Sequence, residues 1–268
     1  MNPAVPVNVS LLEKAIISSY SSGVQEAIYA INFVYERSDA TNIFDQLILP
    51  EKSPYVKVFG MQMFNKFVEC QWCNLATENR TSLKNMLLGF IENSVASLKE
   101  KRVPINEQVL NLADKVLISI LKYEWPNEWN DFRNFVLNSV ETSNELFCNY
   151  LQVYGLLAQD IASSYTDFTS TLHSPPRSGE LFGALTNDFP MLASVMENIL
   201  LTSENQNVIN SILMNLKYFI KTLELTVIFN TNLMNIICDK FLQNNLYTPL
   251  CLSVFGEVAN AGDRKSVV

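Results

Sequence analysis

Apolar residues recur along this chain at intervals of three and four, in blocks divided by Pro, Ser, Thr and Asp. That spacing puts them on one face of an α-helix, whose period is about 3.6 residues. Leu11, Leu12, Ala15 and Ile16 make a first stripe, and Val24, Ala27, Ile28, Ile31, Val34 and Tyr35 make a second after Gly23. Asp39 is placed to cap a short helix ending at Pro50. Pro54 suits the first turn of a longer one through Val56, Phe59, Met63 and Phe67 to Trp72. Thr77 opens the next, with Leu83, Leu87, Phe90, Ile91 and Val95 on one face, and Pro104 begins another. Leu146, Phe147, Tyr150, Leu151, Tyr154, Leu157 and Ile161 follow Ser143. Stripes resume over Leu181–Leu201, Val208–Ile220 and Leu233–Leu242. Thr226 to Phe229 has local β character but no partner strand, and is placed at a helix junction.

The sharpest local signal is Lys122-Tyr123-Glu124-Trp125-Pro126-Asn127-Glu128-Trp129. A stripe of Val109, Leu112, Ala113, Val116, Leu117, Ile120 and Leu121 leads into it. Pro126 must end that helix, because it lacks an N–H and keeps Trp125 out of the α region. Proline is equally suited to open the next helix, ahead of Phe132, Phe135, Val136 and Val140. Trp125 and Trp129 are expected to be buried and to fasten consecutive helix pairs together.

Pairs of stripes begin roughly 30 to 50 residues apart, near the period of HEAT-type repeats. The prediction is an all-α fold, an α-solenoid of at least five antiparallel helix pairs. Each pair leaves an apolar face that its neighbour covers. Residues 8–162 are read as repeats and 163–179, rich in Ser and Thr with Pro175-Pro176 and the sole histidine, His173, as an inter-repeat loop. Residues 180–262 form further repeats. The last of them, with Cys251, Leu252, Val254, Phe255 and Val258, lacks a polar cap and reads as truncated, with Val254, Phe255 and Val258 partly exposed.

Composition narrows the function. A net charge of −8 without a clustered basic face argues against nucleic-acid binding. Five cysteines without framework spacing read as free thiols of a reducing compartment. No signal sequence is apparent and no apolar run is long enough to span a bilayer, so a soluble intracellular chain without membrane insertion is expected.

Candidate chemistry is sparse. Cys70-Gln71-Trp72-Cys73 has Cys-x-x-Cys spacing, but two further ligands for zinc are missing, so no metal is expected. The pair lies at a helix end rather than between a strand and a helix, unlike a redox-enzyme motif. His173 has no nucleophile context, and neither phosphate-binding glycine loop is present. No catalytic residue, cofactor or enzyme activity is therefore predicted, and a binding scaffold remains.

The wording of the tryptophan corner carries a resemblance. Leu121 to Phe132 is similar to the L-K-x-E-W-P-x-x-W-x-x-F stretch in the N-terminal region of the exportin-1 family, nuclear export receptors among the importin-β karyopherins. Lys57-Val58-Phe59-Gly60-Met61-Gln62-Met63-Phe64 resembles that family's K-Y-Y-G-L-Q-I-L, with Trp72 matching the tryptophan eight residues on. Leu156 to Ile161 is similar to L-L-S-E-E-V, and Asn187-Asp188-Phe189 to N-E-F. Order and spacing hold from about Leu11 to Ala259.

The resemblance implies HEAT repeats that bind Ran in its GTP form, in a protein of the nucleus, cytoplasm and nuclear pore. It offers Lys57, Gln62, Asp114, Lys122 and Asn149 as partner contacts on inner helices, and Trp72, Trp125, Pro126 and Trp129 as structural corners. In the family the cargo groove and reactive cysteine lie in later repeats, so cargo and nucleoporins are expected partners only of a full-length protein. The chain departs from the family at Gln71, where an arginine is usual, at Lys221-Thr222-Leu223, and at Gly155, where the family has lysine. The competing expectation is a HEAT-type scaffold with no GTPase partner.

Overall fold

The computed structural model describes residues 8–22, 40–100, 103–166 and 177–265. The stripe from Val24 to Tyr35, the Asp39 cap and His173 lie outside the described residues. Every regular element among the described residues is helical. They fall into two compact units, residues 1–123 and 124–268.

The first unit holds α1 (Val9–Ser22), α2 (Ala40–Leu47), α3 (Pro54–Gln71), a 3-10 turn (Trp72–Asn74), α4 (Thr77–Glu100) and α5 (Pro104–Glu124), whose last residue reaches the boundary. Pro54 opens α3 as its sequence predicts, and the Ser53 hydroxyl accepts from the Val56 N–H at 3.4 Å. Val56, Phe59, Met63, Phe64 and Phe67 bury the α3 stripe. Phe44 of α2 meets Phe64 and Phe67, each at 5.2 Å between ring centres. Gly60 allows α2 to come this close, since a Cβ there would lie 3.0 Å from the Leu47 Cβ.

Side-chain bonds give the order of the helices. Ser119 of α5 donates to Asn65 of α3 at 2.9 Å, and Tyr123 donates to the Glu69 carbonyl at 3.1 Å. Both bridges join residues 54 apart, so α3 and α5 run side by side in the same direction. These are the second helices of successive pairs, and that repetition is what a HEAT arrangement requires.

The second unit contains α6 (Phe132–Thr142), α7 (Asn144–Thr166), α8 (Ser178–Thr202), α9 (Gln206–Thr222) and α10 (Leu225–Phe229). After these come α11 (Leu233–Ile236), a π-helical turn (Ile237–Phe241) and α12 (Thr248–Lys265). The parallel logic recurs. Lys217 donates to Ser253 at 2.7 Å, and one turn later on both α9 and α12 Lys221 pairs with Glu257 at 3.2 Å. Asn215 donates to the Cys148 carbonyl of α7 at 3.3 Å, and the Tyr218 ring lies over Gly155, where a Cβ would be 2.8 Å from Cδ2. First helices are bridged in the same way, Arg133 of α6 to Asp188 of α8 at 3.2 Å.

Four expectations need correction. Pro126 ends α5 but does not open α6, which begins at Phe132; between them the Glu124 carbonyl accepts from the N–H groups of Glu128 and Trp129. The bounds expected for a loop over 163–179 do not hold at either end, since α7 continues to Thr166 and α8 starts at Ser178, and residues 167–176 lie outside the described residues. The Leu233–Leu242 stripe is a single α-turn followed by the π turn. Val254 is fully buried, because its side of α12 faces the α9 contact, while Phe255 and Val258 are half-buried as expected.

Candidate partner interface

Four of the five residues offered as contacts stand on α3 and α5, and the fifth, Asn149, on α7. Gln62 is exposed and turned away from the buried stripe of α3. Lys122 and Asn149 are half-buried, each already engaged in an interaction within the chain. Lys57 is half-buried and donates to the Pro50 carbonyl at 2.9 Å. Burial lowers the affinity of its amine for a proton, an effect opposed by the nearby Glu51 carboxylate.

Asp114 must be corrected. It is 1% exposed, and cannot meet a partner in this conformation. Its position explains this: it comes four residues after Leu110 and three before Leu117, inside the buried stripe of α5. Nor do the remaining α3 and α5 residues converge on a pocket. In the register of the Asn65–Ser119 bridge, Lys122 stands level with Val68, three turns past Lys57, about 16 Å at the α-helical rise. The arrangement is a row of separated polar groups, suited to a broad protein surface rather than to a small ligand.

Lys57 also lines a cleft of about 430 Å³ with Asp45, Asn85, Asn93, Ser97 and Asn106. Gly89 lies in its wall, with open space where a Cβ would be. The cleft presents amides, hydroxyls, the Asp45 carboxylate and the Lys57 amine.

The three tryptophans among the structural corners are buried. Trp72 and Trp125 are 1% exposed and Trp129 8%. Trp72 occupies the 3-10 turn that closes α3. Trp125 precedes Pro126 across a cis peptide bond, and its ring meets Tyr154 of α7 edge-on at 5.6 Å. Phe132 joins Trp129 at 4.9 Å and Tyr154 at 5.4 Å.

Sequence reasoning missed the polar clamp on this cluster. The Tyr154 hydroxyl donates to Asp188 at 3.1 Å, and Asp188 also pairs with Arg133. Burial drives the Tyr154 hydroxyl well above the ordinary phenol range, reinforced by the Asp188 charge. Arg177 donates to the Trp125 carbonyl at 3.1 Å and to Glu180 at 3.0 Å. Nothing in the local pattern singles out Arg177, which stands beside the Ser/Pro stretch and finds its partner 52 residues earlier.

Among the described residues, no helix is long and apolar enough to cross a membrane. Comparison with known proteins gives one consistent answer. The chain is 26% identical to Protein EXPORTIN 1B of Arabidopsis thaliana over 276 aligned residues, covering 96% of this chain and 24% of that protein. It is 22% identical to Exportin-1 of Schizosaccharomyces pombe, over 95% of this chain and 23% of that protein. For Exportin-1 of Drosophila melanogaster the identity is 21%, over 94% and 24%. The chain thus spans about a quarter of the length of the curated relatives it matches. Residues 106–255, more than half of the chain, match the family described as Exportin 1-like protein. The HEAT-type helix pairs, the tryptophan corner and this match agree, and the chain belongs to that family.

Proposed function

We propose that this chain acts as the Ran-binding N-terminal part of a nuclear export receptor, working between nucleus and cytoplasm and at the nuclear pore. It would do so as a non-enzymatic carrier. The observation carrying this reading is its alignment with exportin-1 relatives over almost the whole chain. Support comes from the parallel second helices α3 and α5, which hold Lys57, Gln62 and Lys122 as a spaced row. Export cargo and nucleoporins are proposed as partners of a protein with the relatives' full length. The repeat boundaries 8–162 and 180–262 belong to the same proposal.

The test is a titration of this chain with Ran loaded with GTP or with GDP. Preference for the GTP state is expected, because GTPase switch segments rearrange with the nucleotide. Binding should weaken as salt rises, since the acidic chain meets its partner through surface charge. Lys122→Glu should lower affinity without loss of helical content. Equal binding to both states, or none, would leave a HEAT-type scaffold without a GTPase partner.

A further inference from the structure

Apart from Lys57, the cleft of about 430 Å³ has no part in the proposed function, and one row of α4 forms a wall of it. Asn85, Gly89, Asn93 and Ser97 all line it, each four residues after the last. Such a row climbs the helix by about 6 Å per step, slightly inclined to its axis. Asn106 adds a third carboxamide from α5, and Ile48, Met86, Phe90 and Val109 make the apolar part of the lining.

Two observations mark the row as unspent. Among the described residues, the side chains of Asn85, Asn93, Ser97 and Asn106 make no hydrogen bond within the chain. Gly89 stands well inside a helix of 24 residues, where glycine is a poorer choice than alanine. No packing demand accounts for it, since a Cβ there would meet nothing within 4 Å. Gly183 is equally open in α8, so openness alone marks no site. Gly89 differs in standing between two carboxamides of one cleft, where it leaves α4 open to close approach.

The chemistry of the lining selects the occupant. A carboxamide offers a donor and an acceptor together, as does each residue of a polypeptide main chain. An extended chain rises about 3.3 Å per residue, so groups on one side of it recur at about 6.6 Å. That is close to the step of the row. The rise of about 18 Å from Asn85 to Ser97 matches about five extended residues. The Asp45 carboxylate offsets the Lys57 amine, which favours a neutral main chain over a phosphate-bearing ligand. We propose that this cleft binds an extended peptide segment of a partner protein. The carboxamide row of α4 holds its main chain, and its alternate side chains rest on the apolar lining.

The experiment selects phage-displayed linear random heptapeptides on the folded full chain, after depletion on its Gly89→Leu variant. The leucine enters open space, so far-UV dichroism and the thermal midpoint should show a fold at least as stable. Selected peptides, synthesised with blocked ends and a dye, are titrated by fluorescence anisotropy. Saturable binding is expected, weakened at least about tenfold by Gly89→Leu and about threefold or more by Asn93→Ala. Successive amides of an extended chain point to opposite sides. N-methylation of one alternate set of peptide amides should therefore weaken binding at least about tenfold, and of the other set far less. The selection uses no GTPase, so its failure and that of the proposed function are separate results. No peptide surviving depletion, survivors that bind Gly89→Leu equally, or equal tolerance of the two methylated sets would overturn the proposal.

Discussion

Trp125 contributes more than apolar area. It is 1% exposed, its ring meets Tyr154, and its carbonyl is held by Arg177. Trp125→Ala removes the ring and leaves a cavity in a corner fixed on several sides. A loss of about 3–5 kcal/mol is expected, read as a shift of the urea midpoint. Asp188 supplies a pH test at the same cluster. Burial holds its carboxyl above the ordinary value of 3.8, against the Tyr154 hydroxyl and Arg133, which pull it down. Because the folded value is raised, its contribution to stability is complete below the unfolded value and is lost as pH rises through the folded one. Asp188→Asn, neutral throughout, should therefore gain on the unsubstituted chain as pH rises across that window. A disadvantage that grows instead would mean that the hydroxyl and guanidinium outweigh burial. The corner was legible because Trp and Pro have few uses at such a spacing. Asp114 was misread because the family resemblance was weighed above its place in the stripe, and Arg177 was invisible because its bond to Trp125 spans 52 residues.

Helices were legible wherever apolar spacing and a capping residue coincided, as at Ser53-Pro54 and Ser143. The sequence fell short where an element departs from the α period. The π-helical turn at Ile237–Phe241 is such a place, since an extra residue per turn leaves the stripe looking continuous. That turn carries Lys240 to the end of α8, where its amine donates to the carbonyls of Leu200 and Leu201 at 2.7 and 2.8 Å. Those carbonyls have no partners of their own within the last turn of a helix, and a cation is favourable there. Lys240→Met should cost about 1–2 kcal/mol, as charged hydrogen bonds at a partly exposed site are lost. Amide exchange along the last turn of α8 should quicken with it, and unchanged protection there would count against the capping role.

Across the whole molecule, each compact unit has a core of its own. The first buries Phe44, Phe59, Phe64 and Trp72; the second buries Trp125, Phe132, Phe147, Phe189 and Phe219. Unfolding in urea is therefore expected to proceed in two resolved transitions rather than one. Trp72→Phe leaves tryptophan emission only from the second unit, while Trp125 and Trp129 replaced together leave it only from the first. Coincident midpoints from the two reporters would mean that the units unfold as one. The helices on either side of the 123/124 division were readable from periodicity, but the division itself was not, because helical spacing continues through α5 without a break.

The close seat of Tyr218 on Gly155 also ties two positions together. A ring standing where a Cβ would belong makes them one decision. A longer residue at 155 and the ring in this seat exclude one another, since any side chain at 155 meets the root of the ring rather than a tip that can swing aside. Introducing lysine at position 155 alone would thus damage this protein while saying nothing about what lysine does in a relative. Grafts between the two must move both residues together.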